Sequence, residues 1–239
     1  MKKALFTLPL VASLSVPVMA ADDVDSLGSL VQPQFRDLSE DLAAALSYKA
    51  VAPAEPLGMT GIDIGVEVTN TSLENTEAYD LACGGCGADS LTIPKVHLHK
   101  GLPASIDVGV FLSSIPNSNI KLSGAELRYA LMEGGVASPA IAVRGTYTRL
   151  SGVDQLDMDT TGLELTISKG FAMVTPYAGV GRNWVNSKPN ADIDLEDEDF
   201  TQDKVYAGIN LNMGLLNIAV EGDQTGDTGS YSAKLGFRF

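Results

Sequence analysis

The chain has 239 residues, with 30 acidic side chains against 16 lysines and arginines and a formal charge of −14. This balance excludes a nucleic-acid role, because phosphates need a basic face. One tryptophan, 24 glycines and a 19% charged fraction describe neither a disordered chain nor a disulfide-stapled miniprotein.

The first residues, MKKALFTLPLVASLSVPVMA, set two lysines before an apolar run that ends on the small residues Val18 and Ala20. That is the pattern of a secretory signal peptide, residues 1–20, too short for a spanning helix. No later segment keeps the roughly 20 uninterrupted apolar residues that a transmembrane helix needs. Residues 21–32 are small, polar and acidic and read as a flexible leader. Then PQFRDLSEDLAAALSYK carries Phe35, Leu38, Leu42, Ala45 and Leu46 at helical spacing, with Pro33 suited to the first turn and APAEP as a stop. The spacing predicts a short amphipathic helix within residues 21–56, either periplasmic or a plug.

From Leu57 the period changes from 3.6 to 2. In GIDIGVEVT, Ile62, Ile64, Val66 and Val68 alternate with Asp63, Gly65 and Glu67, and SIDVGVFLS and KVYAGINLNM repeat the pattern. Runs at 57–70, 91–101, 104–113, 120–133, 138–149, 155–168, 172–185, 203–213, 215–223 and 229–239 predict about ten strands, within eight to twelve. The links between them alternate: every long one is odd-numbered and every even-numbered one is short. Up-and-down barrels have this asymmetry, with short turns at one end and longer loops at the other. An even strand count brings both ends of the barrel segment, residues 57–239, to one rim.

A secreted antiparallel sandwich would share the period of two. The signal peptide, the link rhythm and the terminal Phe239 set it apart. YSAKLGFRF places Tyr231, Ala233, Leu235, Phe237 and Phe239 on one face and stops on an aromatic, where a soluble domain would fray into polar residues. Here the chain resembles bacterial outer-membrane β-barrel proteins, the small OmpA-like and porin-like superfamily, whose last strand typically ends in phenylalanine. TPYAGVG at 175–181 is similar to a Pro-Tyr-x-Gly-x-Gly strand of such barrels. The resemblance covers the barrel and not the helix. It implies an all-β fold, a closed antiparallel up-and-down transmembrane barrel in the cell outer membrane. It also implies that Tyr231, Leu235, Phe237 and Phe239 form the signal read by the barrel-assembly machinery.

With apolar side chains facing lipid, the alternate positions face the lumen. The expected inward set is Asp63, Glu67, His97, His99, Asp107, Glu126, Arg128, Arg144, Glu164, Glu221, Lys234 and Arg238. Strand one neighbours strands two and ten, so Asp63 and Glu67 are placed to meet His97, His99, Lys234 and Arg238. Such a set makes either a charge-paired, closed interior or a narrow polar pore.

Cys83 and Cys86, in CGGC, fall in the first long link, where an oxidising compartment favours a disulfide that pins the loop. A metal site of Cys83, Cys86, His97 and His99 has suitable ligand types, but the histidines belong down in the barrel, so no metal is assigned. No cofactor is expected. ADIDLEDEDF puts Asp192, Asp194, Glu196, Asp197, Glu198 and Asp199 in another long link. It lacks the glycine of a calcium loop and reads as a solvated acidic loop, with cation bridging to lipopolysaccharide phosphates as the alternative. No nucleophilic serine accompanies the two histidines, so an enzyme is not expected; a protease-like barrel would need strands rising well above the membrane, and these strands read as too short. The expected protein is a monomer in contact with outer-membrane lipid and lipopolysaccharide. It is either structural or passes small solutes, or, alternatively, it acts in adhesion through its acidic and disulfide-closed loops.

Overall fold

The computed structural model describes residues 24–115, 120–190 and 192–239. The expected signal peptide lies outside them. The chain forms ten antiparallel strands that close into one barrel: β1 Ile62–Ser72, β2 Ser90–Leu102, β3 Ile106–Ser114, β4 Lys121–Glu133, β5 Ala140–Ser151, β6 Leu156–Ser168, β7 Val174–Pro189, β8 Glu198–Met213, β9 Leu216–Thr225 and β10 Thr228–Arg238. Each strand pairs with its sequence neighbours, and β10 returns to β1 in the register Asp63 to Arg238 and Glu67 to Lys234. Phe239 completes the seam, since Ile62 N–H donates to its carbonyl at 2.7 Å and its own N–H donates to Ile62 O at 3.0 Å. Closure leaves no edge with unpaired amides, the condition for a sheet in hydrocarbon.

The period of two sorts the side chains as the sequence predicts. Val66, Leu98, Leu112, Leu127, Leu163, Val180, Ile209, Val220 and Leu235 are exposed on the outer wall, while Asp63, Glu67, Arg144 and Lys234 are buried inside. Exposed aromatics flank this apolar band. Tyr129, Phe171, Phe237 and Phe239 stand toward the end with the short links, and Tyr147, Trp184 and Tyr231 toward the other. Rings at the two polar interfaces of a bilayer occupy such positions.

β7 and β8 run 16 residues each, which corrects the expectation that no strand is long enough to rise above the lipid band. At 3.3 Å per residue they pass the band, and their outward positions turn polar: Arg182 pairs with Asp203 at 2.7 Å and Asn186 bonds Asp199. The acidic run is therefore only partly a loop. Glu198 and Asp199 already belong to β8, because two long strands can continue pairing in water, where apolar alternation is no longer needed.

The N-terminal region also departs from a flexible leader. Val24, Leu27 and Leu30 are buried, and a 3-10 turn spans Leu27–Ser29. Helix α1, Gln32–Leu46, buries Phe35, Leu38, Leu42, Ala45 and Leu46. Its start is capped by Gln34, whose Oε1 accepts the Val31 N–H at 3.1 Å. A second helix, α2 at Thr76–Ala82, lies in the β1–β2 link and is followed by the Cys83–Cys86 disulfide.

α1 sits in the mouth formed by the odd-numbered links, which include the two longest, β1–β2 and β7–β8. The expected alternation of long and short links lapses at β9–β10, where pairing continues to Thr225 and Thr228 and leaves only Gly226 and Asp227 as the turn. Ser26 N–H donates to Ala82 O of the β1–β2 link and Leu27 N–H to Gln155 Oε1 of the β5–β6 link, both at 2.9 Å. Gln32 and Glu196 of the β7–β8 link exchange two bonds, at 3.1 and 2.8 Å. Asp41 Oδ1 accepts from Thr228 Oγ1, just after the β9–β10 link, at 2.9 Å. Arg36 adds ion pairs to Glu40 and Glu198 at 2.6 and 3.1 Å. From there the chain descends through the lumen to reach β1 at the opposite rim.

Candidate functional site: a threaded lumen

The descending segment, residues 47–57, has no regular secondary structure, so the wall must satisfy its backbone. Lys204 Nζ donates to Tyr48 O at 2.8 Å, and Arg128 Nη1 donates to Pro53 O at 2.7 Å. Ala54 N–H donates to Ser168 Oγ at 3.1 Å, and Leu57 N–H to Asp107 Oδ1 at 3.1 Å. Charged wall residues thus serve the thread as well as each other.

The inward side chains form linked ion pairs. Asp63 meets Arg238 at 2.6 Å and Lys234 at 3.4 Å; Glu67 meets His97 at 2.6 Å and Lys95 at 3.0 Å. Asp107 holds Arg128 at 2.6 Å. Glu126, Arg144, Glu164 and Lys204 form a relay with successive separations of 3.0, 2.8 and 2.8 Å. His99 Nε2 lies 3.5 Å from Glu126 and 3.3 Å from the Tyr48 hydroxyl, which brings the thread into the same network. Glu221 faces inward on β9 and is buried. Buried charges cost several kcal/mol each unless paired, and the pairing makes this interior tolerable.

Every residue of the expected inward set lies inside the wall, Arg238 at its rim with partial exposure. Four others belong to the network and were missing from that set: Lys95, Lys204, Asp223 and, from the thread, Lys49. The first three sit at inward positions, each two residues from His97, Tyr206 or Glu221 on the same face, so the period of two contains them. Lys49 has no periodic signal. Below the mouth the wall turns seven carboxylates inward, Asp63, Glu67, Asp107, Glu126, Glu164, Glu221 and Asp223, against six cations, Lys95, Arg128, Arg144, Lys204, Lys234 and Arg238. Lys49 supplies the seventh, its Nζ 2.8 Å from Asp223 Oδ1 with both side chains fully buried.

Glycine and aromatic residues fill the remaining space. A Cβ on Gly124 would run into the Phe111 ring. Tyr177 lies opposite Gly208 and Tyr206 opposite Gly179 in the β7–β8 register, so each strand offers a glycine to the other's ring. The TPYAGVG segment owes its tyrosine and glycine to this reciprocal fit.

Cys83 and Cys86 are joined, 5.8 Å apart between Cα atoms, and cannot act as thiolate ligands beside His97 and His99, which lie in the lumen. Tyr231, Leu235, Phe237 and Phe239 point outward from β10.

No family model matches the chain, and neither does any curated protein. Among solved structures it is similar to the N-terminal β-barrel domain of OprF from Pseudomonas aeruginosa, at 14% identity and a TM-score of 0.38 over 76% of this chain and 99% of that one. It is similar to Ail, the attachment invasion locus protein of Yersinia pestis, at 13% identity and 0.34 over 75% and 97%. The KdgM porin gives 10% identity and 0.37 over 75% and 99%. Likeness this distant assigns no activity. The closed ten-strand wall, its outward apolar band and its inward charges are themselves those of a β-barrel of the outer-membrane type.

Proposed function

We propose that the chain is an integral outer-membrane barrel, sealed by its own N-terminal segment, that conducts no solute and works through its outer end as a structural and surface-interaction protein. One observation carries this reading: Lys49 of the thread pairs with Asp223 of the wall inside the lumen, both side chains fully buried. A thread that left would strand Asp223 as an uncompensated buried charge and free the backbone partners of Lys204, Arg128 and Asp107. The surface role follows from where the ordered mass lies, since α1, α2 and the long links gather at one end. A non-enzymatic protein fits the same picture, with His97 and His99 buried beside the thread and set against the Glu67 and Glu126 carboxylates. Lipid and lipopolysaccharide are the surroundings that suit the outer wall, and the outward face of β10 suits recognition by the assembly machinery.

Planar bilayers test the seal. The full mature chain is expected to be electrically silent, and a variant lacking residues 21–56 to give ion steps if it folds. Steps from the full chain, abolished by charge swaps at Asp63 or Arg144, would establish a pore instead.

A further inference from the structure

At the rim where the thread leaves the lumen, the turns carry apolar side chains at their tips. Met59 precedes β1, Val136 lies in the β4–β5 link, Phe171 and Met173 in the β6–β7 link and Leu215 in the β8–β9 link. All five are at least 59% exposed. Turns in water draw on Gly, Asn, Asp, Ser and Pro. Here alanine takes even left-handed positions that favour Asn and Asp, with Ala104 at φ 61° and Ala172 at φ 55°. The opposite end is built the other way, with Asp192, Asp194 and Asp227 exposed in its links.

A second, independent observation concerns the backbone of these turns. Carbonyls in surface turns ordinarily bond water, whereas here the chain bonds them itself. Lys169 Nζ donates to the carbonyls of Gly135, Val136 and Ser138 at 2.7, 2.8 and 3.0 Å. Lys100 Nζ donates to Met59 O at 2.8 Å. Neighbouring strands serve others: Asn212 N–H donates to Met173 O at 2.9 Å, Arg238 N–H to Leu215 O at 2.8 Å and Ala130 N–H to Ser105 O at 2.9 Å. Internal satisfaction of backbone groups is what a surrounding without water demands.

We infer that this rim is a lipid-contacting surface, sunk below the water boundary of the inner leaflet, with the five tips among the glycerol groups and upper acyl chains of phospholipid. The short-turn end is the one that faces the periplasm in barrels of this type. On β8 the exposed series Val205, Ile209 and Met213 runs on into Leu215, so lipid that covers the wall reaches the tip. A continuous lipid surface meets all five tips at once, because their turns are spread around the ring rather than gathered in one patch. The inference rests on the reading of the chain as a membrane-spanning barrel and is independent of the seal.

Tryptophan fluorescence of the full mature chain in dioleoylphosphatidylcholine vesicles tests it. In a Trp184→Phe background, Val136→Trp and Leu215→Trp report on two tips, Ile209→Trp on the wall and Asp194→Trp on an outer link. Lipid brominated near the carbonyl end of its chains is expected to quench both tip variants. Their emission is expected to be blue-shifted from that of Asp194→Trp, with little loss to iodide present on both sides of the membrane. Met59→Trp gives the same reading on a third tip if either variant loses the heat-modifiable gel migration of the folded barrel. Iodide quenching of the tips equal to that of Asp194→Trp overturns the proposal. Protection from both quenchers also overturns it, since the tips would then be covered by a second copy of the chain. An Ile209→Trp variant that bromolipid fails to quench sinks the membrane-spanning reading and the proposal together, whereas a quenched Ile209→Trp beside unquenched tips sinks the proposal alone.

Discussion

Lys49 and Asp223 meet at 2.8 Å across 174 positions of sequence, both fully buried, one on the thread and one on the ninth strand. Removing one member of a buried pair costs about 3–5 kcal/mol, because the other charge stays behind unpaired. Lys49→Met is therefore expected to lower the unfolding midpoint in urea by that equivalent. The double variant Lys49→Met, Asp223→Leu is expected to recover most of the loss. A double variant no more stable than the single one would refute the pairing.

The reciprocal fit of Tyr177 on Gly208 and Tyr206 on Gly179 predicts intolerance of side chains at those glycines. Gly179→Val overfills a packed site and is expected to destabilise the barrel by about 1–3 kcal/mol. Adding Tyr206→Ala removes the obstructing ring and is expected to restore part of the loss. Thermal midpoints of heat-modifiable gel migration measure both, and additive effects would sink the idea.

The position of α1 in the mouth beside the β1–β2 and β7–β8 links predicts that Val24 stands outside the membrane. An epitope tag inserted before Val24 is expected to be labelled on intact cells and to be removed by external protease, with the barrel protected. A tag that reacts only after the outer membrane is permeabilised would place the helix on the periplasmic side.

The Cys83–Cys86 disulfide closes a very short loop, for which chain-entropy estimates give about 2 kcal/mol at most. Cys83→Ser with Cys86→Ser is expected to leave the barrel folded and to increase hydrogen exchange only in the β1–β2 link. Loss of the whole barrel in that variant would mean that the link directs assembly.

The wall was legible in the sequence because the period of two runs through every strand, with apolar residues outward along the band. The inward face is polar only in the lower barrel, since near the mouth Ile93, Leu122, Leu150, Met158, Val185 and Phe200 turn inward into the apolar cluster with α1. Strand ends were less legible where the outward alternation lapses. At Glu198 and Asp199 both faces meet water, so β8 looks like the tail of an acidic loop. The thread was illegible for a different reason. Tyr48, Lys49, Val51 and Ala54 are buried, yet their partners lie on strands far away in sequence, and irregular backbone carries no period to betray them. Lys95 and Lys204 are intermediate cases, on the correct face by alternation but given a role only by the neighbours that closure brings to them.

A chain that runs through its own ring fixes the order in which it is built. α1, about 10–12 Å across with its side chains, cannot be drawn through a finished cylinder of this size whose bore is already occupied. Residues 24–56 are therefore expected to enter the ring before Phe239 zips against Ile62, so that the last hydrogen bonds to form lock a bolt that was slid home first.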